Sequence, residues 1–302
     1  MPQAPSGTQW TISFADQTAT VVEVGGGLRT YRAGDREVLD GYAEDEISPA
    51  GAGQILTPWP NRLRDGQYAF GGHTYQLPLS EPATHSAIHG LVRWLPWRLL
   101  DQGPSHVTLG LELPARPAYP WSLSLTTRYE LAGDGLTVTH GATDTAAEPA
   151  PFGLGAHPYL TPAGSVEDTW LTVPARSRLL VDGRSLPIGA AKVAGSEWDY
   201  TTAKRIGSGR LDTAFGDVVR GSDGRHAVVL GGPDAPLTSV WADASFGWWQ
   251  LYTADSVAQP RRRRSIAVEP MTCPPDALRS GRDLIVLKPG EPWSASWGIT
   301  PH

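Results

Sequence analysis

Hydrophobic residues in this chain alternate with polar ones in short runs, and they almost never recur at helical spacing. Residues 9–14, 19–24, 67–70, 106–113, 123–131, 136–140 and 227–230 are rich in Val, Thr, Leu and aromatics. Most of these runs are bounded by Gly, Pro or Asp, which predicts β-strands. Gly25-Gly26-Gly27, Gly71-Gly72, Asp134-Gly135 and Asp182-Gly183 read as turns. Asp134-Gly135, between two alternating runs, predicts a hairpin, with Gly133 leaving its loop length open. One short helix is expected over 275–280, stopped by Gly281. Many short strands punctuated by turns imply a sandwich or a barrel. The expectation is an all-β protein, a large antiparallel β-sandwich with very little helix. Residues 141–151 read as a long Gly/Ala/Pro-rich connection, but hydrophobic segments lie on both sides and no fixed-period repeat occurs. A single domain over 1–302 is therefore expected.

Composition narrows the function. Hydrophobic residues make up 40% of 302 and charged residues 19%, with 12 Trp, enough for a sizeable core. The 25 basic residues fall short of the 31 acidic ones, a net −6, which argues against a nucleic-acid partner. Cys273 is the only cysteine, so no internal disulfide and no thiolate zinc cluster is expected. The first residues lack a basic stretch followed by an apolar one, and no run approaches the roughly 18 apolar residues of a membrane span. A cytoplasmic protein without a membrane partner is the default, and monomer and homodimer both stay open.

Four constellations carry candidate chemistry. In Trp59-Pro60-Asn61-Arg62 an amide stands beside a forked guanidinium, a donor set suited to vicinal sugar oxygens or an anion. The plainer account of Arg62 is a pair with a carboxylate. In His85-Ser86-Ala87-Ile88-His89-Gly90 the histidine spacing resembles a helical metal pair, but Ser86 stands where zinc proteases have Glu, so no metal site is expected. His89 instead suits a pocket edge, with Arg93-Trp94 and Trp97 following; Trp97 is expected in the core. In Phe152-Gly153-Leu154-Gly155-Ala156-His157-Pro158-Tyr159 small residues before His157 would leave room for a ligand, and histidine is suited to proton transfer. In Ile266-Ala267-Val268-Glu269-Pro270 a carboxylate ends an apolar strand, where it needs a partner or a substrate. The arginine run at 261–264 reads as a solvated loop.

The order of these pieces, with Leu211-Asp212 and Gln250-Leu251-Tyr252 between the last two, resembles the aldose 1-epimerase (galactose mutarotase) family from Leu56 to about Thr300. The resemblance implies a galactose mutarotase-like supersandwich. It implies that His157 is the catalytic acid and Glu269 the catalytic base, and that Asn61, Arg62, His89, Tyr159, Asp212 and Gln250 bind the sugar. This chain has Ile88-His89-Gly90-Leu91 and Ala156-His157-Pro158-Tyr159 where well-studied members carry Leu-His-Gly-Gly and Asn-His-Thr-Tyr, a pattern closer to a bacterial subgroup. The implied partner is a monosaccharide, and proton transfer alone requires no cofactor. A carboxylate and an imidazolium side by side should favour each other's charges, giving a bell-shaped pH profile with limbs inside about pH 4 to 9. Alternatives are a hexose 6-phosphate or sulfosugar epimerase, with Arg64, Arg93 or the 261–264 run gripping the anion. A non-catalytic carbohydrate-binding protein and a glycosidase using Asp212 and Glu269 also stand.

Overall fold

The computed structural model describes residues 4–233 and 235–302. Two large antiparallel sheets dominate. The nine-stranded one runs, edge to edge, Arg98–Gln102, His106–Leu113, Leu123–Ala132, Gly135–Asp144, Pro292–Pro301, Ala235–Ala242, His226–Gly232, Trp170–Thr172 and Lys204–Arg205. The other runs Pro187–Lys192, Ala175–Val181, Asp212–Val218, Trp248–Tyr252, Ile266–Met271, Gly155–Ala156 and Ile55–Leu56, with Tyr159–Leu160 also paired to Ile266–Met271. Val138, Val240 and Trp297 from the first sheet share one buried cluster with Phe215, Trp249 and Val268 from the second. The protein is thus an all-β sandwich; the one α-helix among the described residues is Ala277–Ser280.

Local alternation sets most of the elements. Leu123–Ala132 buries every second side chain, as a strand with one wet face must. The strands predicted at 9–14, 67–70 and 106–113 are found at those bounds. Gly71-Gly72 closes the hairpin between Gln67–Phe70 and His73–Gln76, both glycines at positive φ as a two-residue turn of the primed kind needs. The predicted Asp134-Gly135 turn is displaced by one residue. Ala132 pairs with Gly135, so the loop is Gly133-Asp134 and Gly135 already belongs to the strand.

The supposed connection at 141–151 is mostly strand. Gly135–Asp144 runs on with alternate burial, and the next strand begins at Ala150. Gly141 is small because Thr126 Oγ1 on the adjacent strand lies 2.5 Å from where a Cβ would stand. The strand carrying Glu269 also continues through Pro270 to Met271. Its other neighbour is interrupted there, between Ala156 and Tyr159.

Two central strands are buried on both faces, and this positions the site. Along Ile266–Met271, Ile266 and Val268 face the main core while Ala267 and Met271 join two small clusters on the opposite face. Glu269 lies between those two, on the second face. By the same period of two, Trp249 and Leu251 face the core and Gln250 shares the face of Glu269, its partner in register.

Candidate active site

A cavity of about 500 Å³ opens on that second face, and all eight residues singled out above line it: Asn61, Arg62, His89, His157, Tyr159, Asp212, Gln250 and Glu269. His157 sits in the break of the neighbouring strand, its N–H donating to Gln54 O (3.1 Å) and its carbonyl accepting from Gly53 N–H (2.9 Å). Nε2 of His157 is 3.5 Å from Glu269 Oε1, with both side chains buried. Tyr159 stacks on the imidazole, ring centroids 4.9 Å apart, and His89 meets it edge-on at 5.4 Å. The small residues before His157 do not make ligand space, contrary to expectation. Gly153 accommodates Cys273 Sγ, and Gly155 accommodates Pro60 and Met271. Space beside the imidazole comes from Gly51, whose absent Cβ would lie 3.1 Å from His157 Cδ2.

Asn61 and His89 are set by paired turns. Both have positive φ (54° and 62°), and His89 N–H donates to Asn61 O at 3.0 Å. Asn61 tolerates this conformation because its own Oδ1 accepts the next N–H, that of Arg62, at 2.8 Å. Gly90 follows because a Cβ there would stand 2.0 Å from Thr57 O. The short helix has a part as well. Asp276 before it donates its N–H to Arg62 O and accepts from Arg64 N–H, fixing Arg62–Arg64.

Arg62 has the carboxylate partner that the plainer account requires, and it also lines the cavity. Its Nε and Nη2 donate to the two oxygens of Glu81 at 2.6 and 2.8 Å, and the fork so held lines the cavity. Glu81 escaped the sequence reading because Ser80-Glu81-Pro82 carries no alternation; the need of Arg62 for a carboxylate was the available signal. Tyr252 and Ser256, hydrogen-bonded to each other, also line the cavity unforeseen. Gln250 Nε2 donates to Asp212 Oδ1 at 2.6 Å. His85 is exposed and bonded to Asp65, so it shares no donor set with the buried His89.

Four residues of the cavity lining each keep a buried polar atom without a hydrogen-bond partner among the described residues: His89 Nδ1, His157 Nδ1, Gln250 Oε1 and Glu269 Oε2. A buried polar atom left unpaired costs about 1–3 kcal/mol, so this lining holds polar capacity that the fold itself does not use. Burial also sets the charges, against expectation. It lowers His157 to about 4, with Arg93 lowering it further against a backbone hydrogen bond. It raises Glu269 well above the usual carboxylate range, with Asp212 adding and Arg62 opposing. His89 is held well below its usual value by burial, then by His157 and the two nearby arginines. Desolvation thus outweighs mutual attraction, and the free pair is neutral, one proton on Glu269 and none on Nε2-facing His157 beyond its single N–H.

Of the proposed anion grips, Arg64 is paired with Asp182 and Asp276, and Arg261, Arg263 and Arg264 are paired with carboxylates outside the cavity. Arg93 lines the cavity and, among the described residues, has no carboxylate within ion-pair distance. Trp94 beside it stands half exposed at the rim, while Trp97 is in the core as expected.

A family model described as aldose 1-epimerase matches residues 8–300. The chain belongs to the aldose 1-epimerase family. It is 33% identical over 290 residues to YihR of Escherichia coli K12, an uncharacterised protein, covering 95% of this chain and 91% of that one. The galactose 1-epimerase of Lactobacillus acidophilus NCFM is similar in structure, with a TM-score of 0.80 at 23% identity over 96% of this chain and 93% of that one. A GalM/aldose epimerase homologue from C. elegans superposes with a TM-score of 0.83 at 16% identity, covering 97% and 99%. These likenesses give the chain its fold, a galactose mutarotase-like β-sandwich.

Proposed function

We propose that this single-domain protein interconverts the α and β anomers of a free aldohexose by acid–base ring opening, without a cofactor. The observation that carries the reading is the buried His157–Glu269 pair at 3.5 Å, with an unpartnered atom on each side chain. Ring opening removes a proton from the C1 hydroxyl and delivers one to the ring oxygen. Glu269 takes the first and His157 gives the second, each positioned group contributing about 10² to 10⁴ in rate. The pair holds one transferable proton throughout. In the free site that proton is on Glu269; its passage to His157 across the 3.5 Å gap gives the imidazolium and carboxylate that act on the closed ring, and opening returns the pair to imidazole and carboxylic acid. Burial favours the second state, so opening the ring discharges two groups the pocket cannot solvate. Rotation about C1–C2 and the reverse transfers close the other anomer. Asn61, Arg62, His89, Asp212 and Gln250 supply donors and acceptors to the remaining hydroxyls, and Tyr159 supports the imidazole.

A second reading rests on Arg93. A cation facing the cavity without a carboxylate suits a hexose bearing a phosphate or sulfonate, which it would pair by charge-assisted hydrogen bonds. Exchange NMR at anomeric equilibrium on glucose, galactose, glucose 6-phosphate and sulfoquinovose tests both. Accelerated exchange is expected, lost in Glu269→Gln and His157→Asn. A strong preference for the anionic sugars, abolished by Arg93→Ala, selects the second reading. Binding without acceleration would make the protein a carbohydrate-binding one instead.

A further inference from the structure

The arginine run at 261–264, expected to be a solvated loop, is largely spoken for. It lies in the segment joining Trp248–Tyr252 to Ile266–Met271, the two strands that carry Gln250 and Glu269. Ser256, Val257 and Ala258 of that segment form part of the cavity wall. Arg261 donates to Gly41 O and Glu46, and Arg264 binds Asp40. Arg262 alone in the run is exposed without an ion pair among the described residues.

Arg263 is the most committed of the four. Nε donates to Glu167 Oε1 (2.6 Å), Nη1 to Asp255 Oδ1 (2.8 Å) and Gly209 O (3.1 Å), and Nη2 to Gly207 O (3.1 Å). A single guanidinium so ties three stretches of chain. Two of them lead to the cavity. Asp255 is bonded by the Thr253 hydroxyl, and that same hydroxyl accepts from Leu211 N–H at 2.9 Å while Thr253 N–H donates to Leu211 O at 3.0 Å. The next residue is Asp212. The turn through Gly207 and Gly209 leads along the chain into the same Leu211 and so into Asp212. The segment that delivers Asp212 is therefore held twice on its N-terminal side, at Gly207 and Gly209 directly and at Leu211 through Thr253, and both holds meet at Arg263.

We infer that Arg263 is a positioning residue for Asp212, acting through Asp255, Thr253 and Leu211 to hold that carboxylate where a sugar hydroxyl meets it. This rests on Asp212 being a sugar contact, as in the proposed function. The geometry is specific to a planar fork. A lysine ammonium keeps the charge but cannot reach four acceptors spread over three segments. An electrostatic link runs in parallel. Burial is what chiefly opposes ionisation of Asp212; Arg62 and Gln250 favour it, and the charges of Glu81 and then Asp255, the partner of Arg263, add smaller opposition.

The test is a double-mutant cycle between Arg263→Ala and Asp212→Asn, with Arg262→Ala as control and thermal unfolding recorded for every variant. Arg263→Ala is expected to raise KM about tenfold with kcat within about twofold, since it leaves His157 and Glu269 in place. In the Asp212→Asn background the same change should leave KM within about twofold. Arg263→Lys should fall between, and Arg262→Ala should match wild type. The pH below which KM rises should also move upward in Arg263→Ala, because Asp255 then bears on Asp212 unneutralised. An equal tenfold rise in both backgrounds, or none in either, overturns the inference. Should Arg263→Ala not fold, Arg263→Lys and Arg263→Gln carry the cycle.

The same cycle is run on the sugar dissociation constant from tryptophan fluorescence. Sugar binding without accelerated exchange would defeat the mutarotase reading and still decide the role of Arg263. A protein that neither binds nor turns over any sugar of the panel overturns both.

Discussion

The proton on Glu269 decides how the site responds to pH. Between the lowered titration of His157 and the raised one of Glu269 the pair holds one proton, the state that can serve as acid and base together. As pH falls through about 4, His157 gains a second proton and no base remains. As pH rises through the elevated range of Glu269, the only proton is lost and no acid remains. The acid limb of kcat/KM should therefore lie near 4, below the range an ordinary histidine would give. A limb near 6.5 in a pH series of exchange rates would mean that His157 is solvated and the argument from burial wrong. Glu81 offers a second test at this scale. Removing it by Glu81→Ala frees the Arg62 fork from its two hydrogen bonds, so KM should rise about tenfold with kcat little changed. Arg62 could be read from the sequence as a sugar ligand or as half of an ion pair. That an ion-paired Arg62 also lines the cavity could not be read, because Glu81 lies in a loop whose pattern predicts nothing.

At the scale of elements, the strands were legible wherever burial alternates along a single segment, as in Leu123–Ala132. They were misread where the reason for a residue lies on a neighbouring strand. Gly141 looks like a loop residue until Thr126 is seen against it, and Pro270 looks like a terminator until the break beside His157 is seen. Gly90 shows the same dependence and gives a prediction. A Cβ there would collide with Thr57 O at positive φ, so Gly90→Ala should destabilise the fold by about 3 kcal/mol in urea titration. Gly183→Ala, with nothing within 4 Å of its Cβ position, should be neutral within about 0.5 kcal/mol. Similar losses for both would show that the His89 turn is not strained by a side chain.

At the scale of the molecule, the convergence of eight residues from distant segments was not readable from pattern at all. It came through the order of motifs, which stands in for a non-local arrangement only because the family has one. Whole-molecule stability carries its own signature. His140 is buried between Thr127 and Trp297, and His226 between Trp249 and Phe246 O, each accepting an indole N–H on one ring nitrogen. Burial lowers His140 to about 3 and lowers His226 as well, as it does His89 and His157. The unfolded chain protonates all four below about pH 6.5 and the folded protein does not, so stability should fall as pH drops from there. Glu269, with the opposite shift, offsets one of the four. His140→Gln should flatten the slope of unfolding free energy by roughly 1.4 kcal/mol per pH unit between 6 and 4. An unchanged slope would mean that His140 is accessible to protons.

The burial of His157 and Glu269 has one more consequence. The proton taken from the C1 hydroxyl oxygen is returned to it, and the proton given to the ring oxygen is taken back on closure, so each cycle ends with the pair as it began. No step waits for a proton from outside. Turnover should be insensitive to the concentration of buffer, whereas the uncatalysed interconversion of the same sugar speeds up as buffer is added.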